Sequence, residues 1–303
     1  MNKIFLLTML SLFGVIVPIF SQADNTEDNF DMGVKAFEGR DYRTAINYFE
    51  SVLHNIETDS DNYGMVLFLL GSCYNIMEEP RKACALYERA ITVSKEDPML
   101  LANVYPGLLK TYCDIGKMSK ALLIAQQMEK LLREKKLEED KDQYWEYAVS
   151  LLEYYYSISD YGKGLDIGDF VQTLEIKTNE LDELDLRSMS ISQNSFYMLL
   201  AQFYEKLEED ENALGSLIKS LDYISNETKC LRALTYARIA NFYHKQNKCS
   251  EALEYLLKSL EIWDVFHEDD LETKAVILMQ IGTIYANMPN PLAAIPYLEK
   301  AKD

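Results

Sequence analysis

The stretch Ala233–Ser259, ALTYARIANFYHKQNKCSEALEYLLKS, is one nearly complete copy of a unit that recurs along the chain. Its first half sets the large residues Tyr236, Ile239 and Tyr243 around the small Ala240. Its second half carries Ala252, Leu256 and Ser259. The small residues have a physical task. Where two helices cross at short range a large side chain forces the backbones apart, so only Ala, Gly or Ser fits.

Further copies lie on both sides. The first has Met32-Gly33 and Ala36-Phe37, a turn over Glu38–Tyr42, then Ala45 and Phe49. The second has Leu70-Gly71, Tyr74, Pro80, Ala83, Tyr87 and Ala90, and the third Leu108, Tyr112, Gly116, Ala121 and Ala125. Pro80 suits a first helical turn, where its missing N–H has no partner in any case. The fifth copy has Leu200-Ala201, Tyr204, Ala213 and Leu217, and the seventh Ile281-Gly282, Tyr285, Ala294 and Leu298. This pattern resembles the tetratricopeptide repeat family, whose first helix carries large residues at positions 4, 7 and 11 around a small one at 8. The family's second helix has Ala at 20, a large residue at 24 and a small one at 27. The resemblance implies an all-α fold, a right-handed superhelical α-solenoid of about seven antiparallel helix pairs over residues 24–303. Such a scaffold serves many unrelated functions.

The markers Ala45, Ala83, Ala121, Gly164, Ala213, Ala252 and Ala294 stand 38, 38, 43, 49, 39 and 42 residues apart. The family unit has about 34 residues, so longer helices and longer charged loops, such as Arg133–Asp140, are expected to take the surplus. The fourth unit, about residues 143–178, is the weakest. Leu151, Tyr155 and the turn Asp160-Tyr161-Gly162 fit, but Gly164 replaces the expected Ala and Gly168 falls where a large residue packs. Glycine within a helix costs about 1 kcal/mol relative to Ala, so this helix is expected to be frayed, kinked or displaced. The largest surplus predicts a bend around residues 175–190. The sequence stops at Tyr297–Asp303, part-way through a last second helix, whereas arrays of this family usually finish with a solvating helix. The expectation is that the chain continues or that this end packs against something else.

The first 23 residues form their own segment: Lys3, an apolar run Ile4–Phe20, then Ser21-Gln22-Ala23 ahead of the acidic Asp24, Glu27 and Asp28. This is the layout of a secretory signal peptide cleaved near Ala23, which predicts an exported, periplasmic or extracellular protein without membrane insertion after cleavage. The formal net charge of −19 leaves no clustered Lys and Arg for phosphate contacts, which argues against nucleic acid and an anionic membrane surface.

Catalytic chemistry has little footing. His54, His244 and His267 show no metal-ligand spacing, and Gly162–Gly168 lacks the order of a phosphate loop, so no enzyme activity, metal or cofactor is expected. The five cysteines are an odd number and read as small buried thiols. Cys230 and Cys249 would stand about 25 Å apart across a helix hairpin, too far to pair. Cys73 and Cys84 flank a turn and are close enough to approach. The twenty-one tyrosines fall mostly at core positions of the repeat.

Function is then expected on the concave face, which the family lines with positions 2, 5, 9, 12 and 13 of the first helices. Carried onto this sequence, those positions give Asn75, Lys110, Gln202, Asn241, His244, Lys245, Thr283 and Asn287 as candidate partner-binding residues, with Met198, Glu205 and Met279 among their neighbours. The expected partner is a protein or peptide. The second resemblance is to the periplasmic portion of bacterial membrane-bound regulators, which implies a sensory input domain.

Overall fold

The computed structural model describes residues 26–58, 61–93, 97–134, 143–174, 183–224, 229–266 and 271–302. Among them are fourteen α-helices and no strand, in seven pairs. They are α1 (Thr26–Glu38), α2 (Tyr42–Asn55), α3 (Asp61–Ile76), α4 (Pro80–Val93), α5 (Pro98–Asp114), α6 (Met118–Arg133), α7 (Gln143–Ser157) and α8 (Tyr161–Gln172). The series continues with α9 (Glu183–Lys206), α10 (Asp210–Ser220), α11 (Lys229–Lys245), α12 (Cys249–Phe266), α13 (Leu271–Ala286) and α14 (Ile295–Lys300). The chain divides into two compact units, Met1–Ser192 and Gln193–Asp303. Each is a stack of helix pairs of the solenoid type that the sequence implies.

Each pair closes on one contact. A Cβ built on Gly33 would lie 2.7 Å from the Phe49 ring, one on Gly71 2.8 Å from the Tyr87 ring, and one on Gly282 2.5 Å from Leu298. Position 8 of the first helix is therefore empty because position 24 of the second fills it. Tyr87 is the extreme case: it is fully buried, and a Cβ on Gly107 in the following pair would lie 3.0 Å from its ring. Its hydroxyl stands 3.2 Å from that of Ser72, which satisfies both polar groups in the core.

The third and fourth pairs carry the opposite assignment. Leu109 and Leu152 hold position 8, both buried, and Ala125 and Gly168 hold position 24, also buried. This corrects the expectation for the fourth unit. Its second helix, α8, runs without a break from Tyr161 to Gln172 with Gly164 and Gly168 buried, and Asp160 caps it by accepting from the Lys163 N–H at 3.2 Å. Gly168 matches a large residue on the other helix, so burial of Leu152 offsets its helix penalty of about 1 kcal/mol. Of the expected bend, residues 175–182 lie outside the described residues; from Glu183 the chain is helical for 24 residues. The signal segment and most of Arg133–Asp140 also lie outside them.

The turns between paired helices repeat as closely as the core. Arg40, Glu78, Gly116, Ser159, Glu208 and Asn247, one per pair, have φ between 58° and 74°. In each, the next N–H reaches back five residues, as Asp41 to the Ala36 carbonyl at 2.8 Å and Lys248 to that of Tyr243 at 2.9 Å. This is the glycine-favoring helix stop, and five of the six positions carry a side chain that left-handed backbone disfavors by about 1–2 kcal/mol. The seventh pair has Pro289 there, whose ring forbids positive φ. No left-handed residue occurs in that turn, and the second helix begins as the 3₁₀ segment Pro291–Ala294.

Tyrosines join successive pairs. The Tyr74 hydroxyl donates to Glu50 at 3.0 Å, that of Tyr112 to Glu88 at 2.7 Å, and that of Tyr155 to Glu129. Lys120 adds a 2.7 Å bond to the same Glu88 oxygen, and these two donors hold the Glu88 carboxyl below its ordinary range. In the last two pairs the equivalent Tyr243 and Tyr285 instead stack within their own pair, on Tyr255 and Tyr297. The core reading of the tyrosines is thus half the account, since their hydroxyls also stitch pair to pair.

Two outcomes follow from these contacts. Gly71→Ala is expected to lower stability by about 1–3 kcal/mol through overpacking. Tyr87→Ala in that background should lose less than the sum of the two single losses; additive losses in urea denaturation would remove Tyr87 as the cause. Glu88→Gln is expected to lose less than about 1 kcal/mol at neutral pH, since the carboxylate is well exposed and screened. A lowered folded pKa contributes stability above the unfolded value near 4.5 and loses it as pH falls through the folded one. The difference between wild type and variant should therefore close in acid, and a pH-independent difference would count against the charge as its origin.

Candidate functional site

The first helices of the sixth and seventh pairs, α11 and α13, bring three of the sequence-predicted residues together. Asn241, His244 and Thr283 line one cavity of about 210 Å³ with Val276, Met279 and Gln280. Positions 9 and 12 of one helix and 2, 5 and 9 of the next meet because helix periodicity puts each set on one stripe. Val276 and Met279 keep 50% and 55% of their surface exposed, which makes an apolar wall open to solvent. The Thr283 hydroxyl donates to the Met279 carbonyl at 2.8 Å, so it turns back on its own helix. The Gln280 Oε1 is buried without a hydrogen-bond donor among the described residues. A buried acceptor left unpaired costs about 1–3 kcal/mol.

The other candidates stand elsewhere. Lys245 is exposed on α11 with its ammonium 5.2 Å from the center of the Phe242 ring, and Asn287 is exposed past the end of α13. Gln202 is half-buried on α9 and lies outside the cavity lining. Asn75 and Lys110 belong to the other compact unit. The Asn75 side-chain oxygen lies 3.4 Å from the Thr111 hydroxyl, whose shorter bond, 2.7 Å, goes to the Gly107 carbonyl. Lys110 is exposed and faces Glu153, which holds the same repeat position on α7. Crowding by surrounding protein raises the Glu153 carboxyl although its surface is exposed, and the Lys110 charge opposes that rise.

Two residues escaped the sequence reading. Arg238 donates to Glu205 at 3.1 Å and approaches the Met198 sulfur at 3.8 Å, which fills the space between α9 and α11. Gln280 is the other. Both hold position 6 of a first helix, beside the family's groove positions, and a polar residue there points into the gap between pairs. That recurrence is the signal that would have found them.

The cavity is neutral, half polar amide and imidazole and half aliphatic. Among the described residues no group of three or more His, Cys, Asp or Glu side chains gathers in metal-binding distance. The thiols are unpaired, and Cys73 is buried with its pKa pushed up to about 12 by desolvation, a poor nucleophile at neutral pH. No described helix is long and apolar enough to cross a membrane. What the surface offers is hydrogen-bond acceptors and donors beside an apolar wall.

Residues 66–97 and 231–303 each match the tetratricopeptide repeat family. No curated protein sequence matches the chain. Among solved structures, the apo form of RapI is similar with a TM-score of 0.68 at 16% identity, over 92% of this chain and 76% of RapI. A signal transduction ATPase with numerous domains and a tetratricopeptide repeat sensor, from Pyrococcus horikoshii, gives 0.71 at 16% identity, over 92% of this chain and 41% of that one. The C-terminal part of a repeat-containing protein from Cytophaga hutchinsonii gives 0.56 at 15% identity, over 89% and 93%.

Proposed function

We propose that this chain, two stretches of which match tetratricopeptide repeats, is a non-catalytic scaffold of the cell envelope holding a protein or peptide segment against α11 and α13. The observation that carries this reading is the cavity in which the exposed apolar Val276 and Met279 stand beside the polar side chains of Asn241, His244 and Gln280. A peptide matches that lining, with backbone N–H and C=O groups for the exposed Asn241 amide and an aliphatic side chain for the wall. A cavity of about 210 Å³ suits one side chain rather than a whole small-molecule ligand. The negative charge of the chain fits basic or neutral segments better than acidic ones.

The envelope location rests on the first 23 residues, read as a cleaved export signal. A second reading, a sensory input domain, is favored by the same helix architecture serving as a sensor in the Pyrococcus horikoshii ATPase. Both readings use the same cavity and differ in what is attached to it.

Affinity capture from an envelope fraction, followed by calorimetry with the partner recovered, tests the scaffold. Asn241→Ala with Met279→Glu should weaken binding at least about ten-fold, or 1.4 kcal/mol, with helicity unchanged; unaltered affinity would move the site elsewhere. Export predicts a mature N-terminus at or near Asp24 by mass spectrometry, and an intact Met1 in a cytoplasmic fraction would overturn it.

A further inference from the structure

A larger cavity opens on the opposite kind of face. Second helices α2 and α4 form its walls and α3 its floor, enclosing about 660 Å³. Leu53, Leu70 and Leu86 make its middle apolar, and a tyrosine marks each end of α3. At one end Lys82 sits 4.7 Å from the center of the Tyr74 ring. At the other, Arg89 donates to the Tyr63 hydroxyl at 2.6 Å and lies 6.0 Å from its ring center.

The next step of the stack shows what is different here. There Lys120 reaches across to Glu88 at 2.7 Å, and the carboxylate, the Tyr112 hydroxyl and the lysine form one closed cluster between α4, α5 and α6. The equivalent Lys82 turns along its own helix to Glu79 at 2.6 Å, and Glu50 is left to the Tyr74 hydroxyl at 3.0 Å. The gap between second helices stays open, and Lys82 and Arg89 stay on its wall with most or much of their surface exposed. In a chain of net charge −19, the described lining of this cleft holds the cationic Lys82 and Arg89 with the single carboxylate of Glu50 and the imidazole of His54, and Glu79 pairs with Lys82 from outside the lining. Lys82 and Arg89 are seven residues apart, two helical turns, or about 10.5 Å along α4.

We propose that this cleft is a second docking site, separate from the one on α11 and α13, and that it takes an acidic amphipathic helix of a protein partner. Leucine-type side chains of that helix fill the apolar middle. Carboxylates at positions i and i+7, also two turns apart, meet Lys82 and Arg89. Helix-in-groove recognition of this kind reads anchors spaced by helical turns, and the charge pattern excludes a basic helix of the same shape.

The test uses the full chain and two fluorescein-labeled synthetic peptides. Both are fourteen-residue helix formers with a leucine face; one carries glutamates at i and i+7, the other lysines. Fluorescence anisotropy should show saturable binding of the glutamate peptide and at least about ten-fold weaker binding of the lysine peptide, a difference of 1.4 kcal/mol. Lys82→Glu with Arg89→Glu should reverse that preference. Ala85→Glu, at an exposed wall position, should weaken the glutamate peptide if the charge-reversed variant loses helicity. Equal binding of the two peptides, or loss on Asn241→Ala with Met279→Glu instead, overturns the proposal. So does a wild-type dimer in sedimentation that Lys82→Glu with Arg89→Glu dissociates, which would make the cleft a self-interface.

Discussion

The distance between two paired helices is set by which of them gives up a side chain. In the first, second and seventh pairs a glycine on the first helix admits Phe49, Tyr87 or Leu298. In the third and fourth pairs the large residue is Leu109 or Leu152 and the small one is on the second helix. Interiors pack at near-crystalline density, so the sum over the two positions is constrained while the assignment is free. Everything else in a pair, the left-handed turn, the tyrosine stitches and the faces left to solvent, follows once the backbones are that close.

This explains how the sequence could be read and where the reading failed. The periodic small residues are local in sequence and specify helix pairs directly, so the all-α class and seven units were legible from side chains alone. The fourth unit was misjudged because Gly168 was weighed against an average for its own position. Leu152, at the matching position of α7, lies sixteen residues earlier and is buried, as Gly168 is. The site was legible in part for a related reason. Asn241, His244 and Thr283 were found from helix periodicity, which fixes the stripe a residue occupies. Arg238 and Gln280 were not, because what a position 6 residue meets depends on the neighboring pair and not on its own helix.

The two cavities, one in each compact unit, differ in their chemistry. The cavity of the sixth and seventh pairs is lined without Asp, Glu, Lys or Arg, and selection there falls to hydrogen bonds and apolar fit. The second helices of the first three pairs carry Lys82, Arg89 and Lys120 and the carboxylates of Glu50 and Glu88, which accept from tyrosines on the first helices that follow. In the first three pairs a single rotation of one lysine separates a closed bridge at Glu88 from an open cleft at Glu50. Surface ion pairs contribute little to stability, so such a bridge can be given up without much loss to the stack.

Pro289 reaches further than its own turn. Six hairpins are locked by a backbone hydrogen bond across a left-handed residue, and the seventh lacks that lock. Its second helix starts as 3₁₀, and Leu292, Ile295 and Leu298 are all well exposed. A linear array opens from its least cooperative module, since each module is held only by its neighbors. Amide protons in α14 should therefore exchange with solvent sooner than those of α12, whose hairpin carries the lock. The hairpin that follows α13, a wall of the cavity, is thus the one closed without that lock.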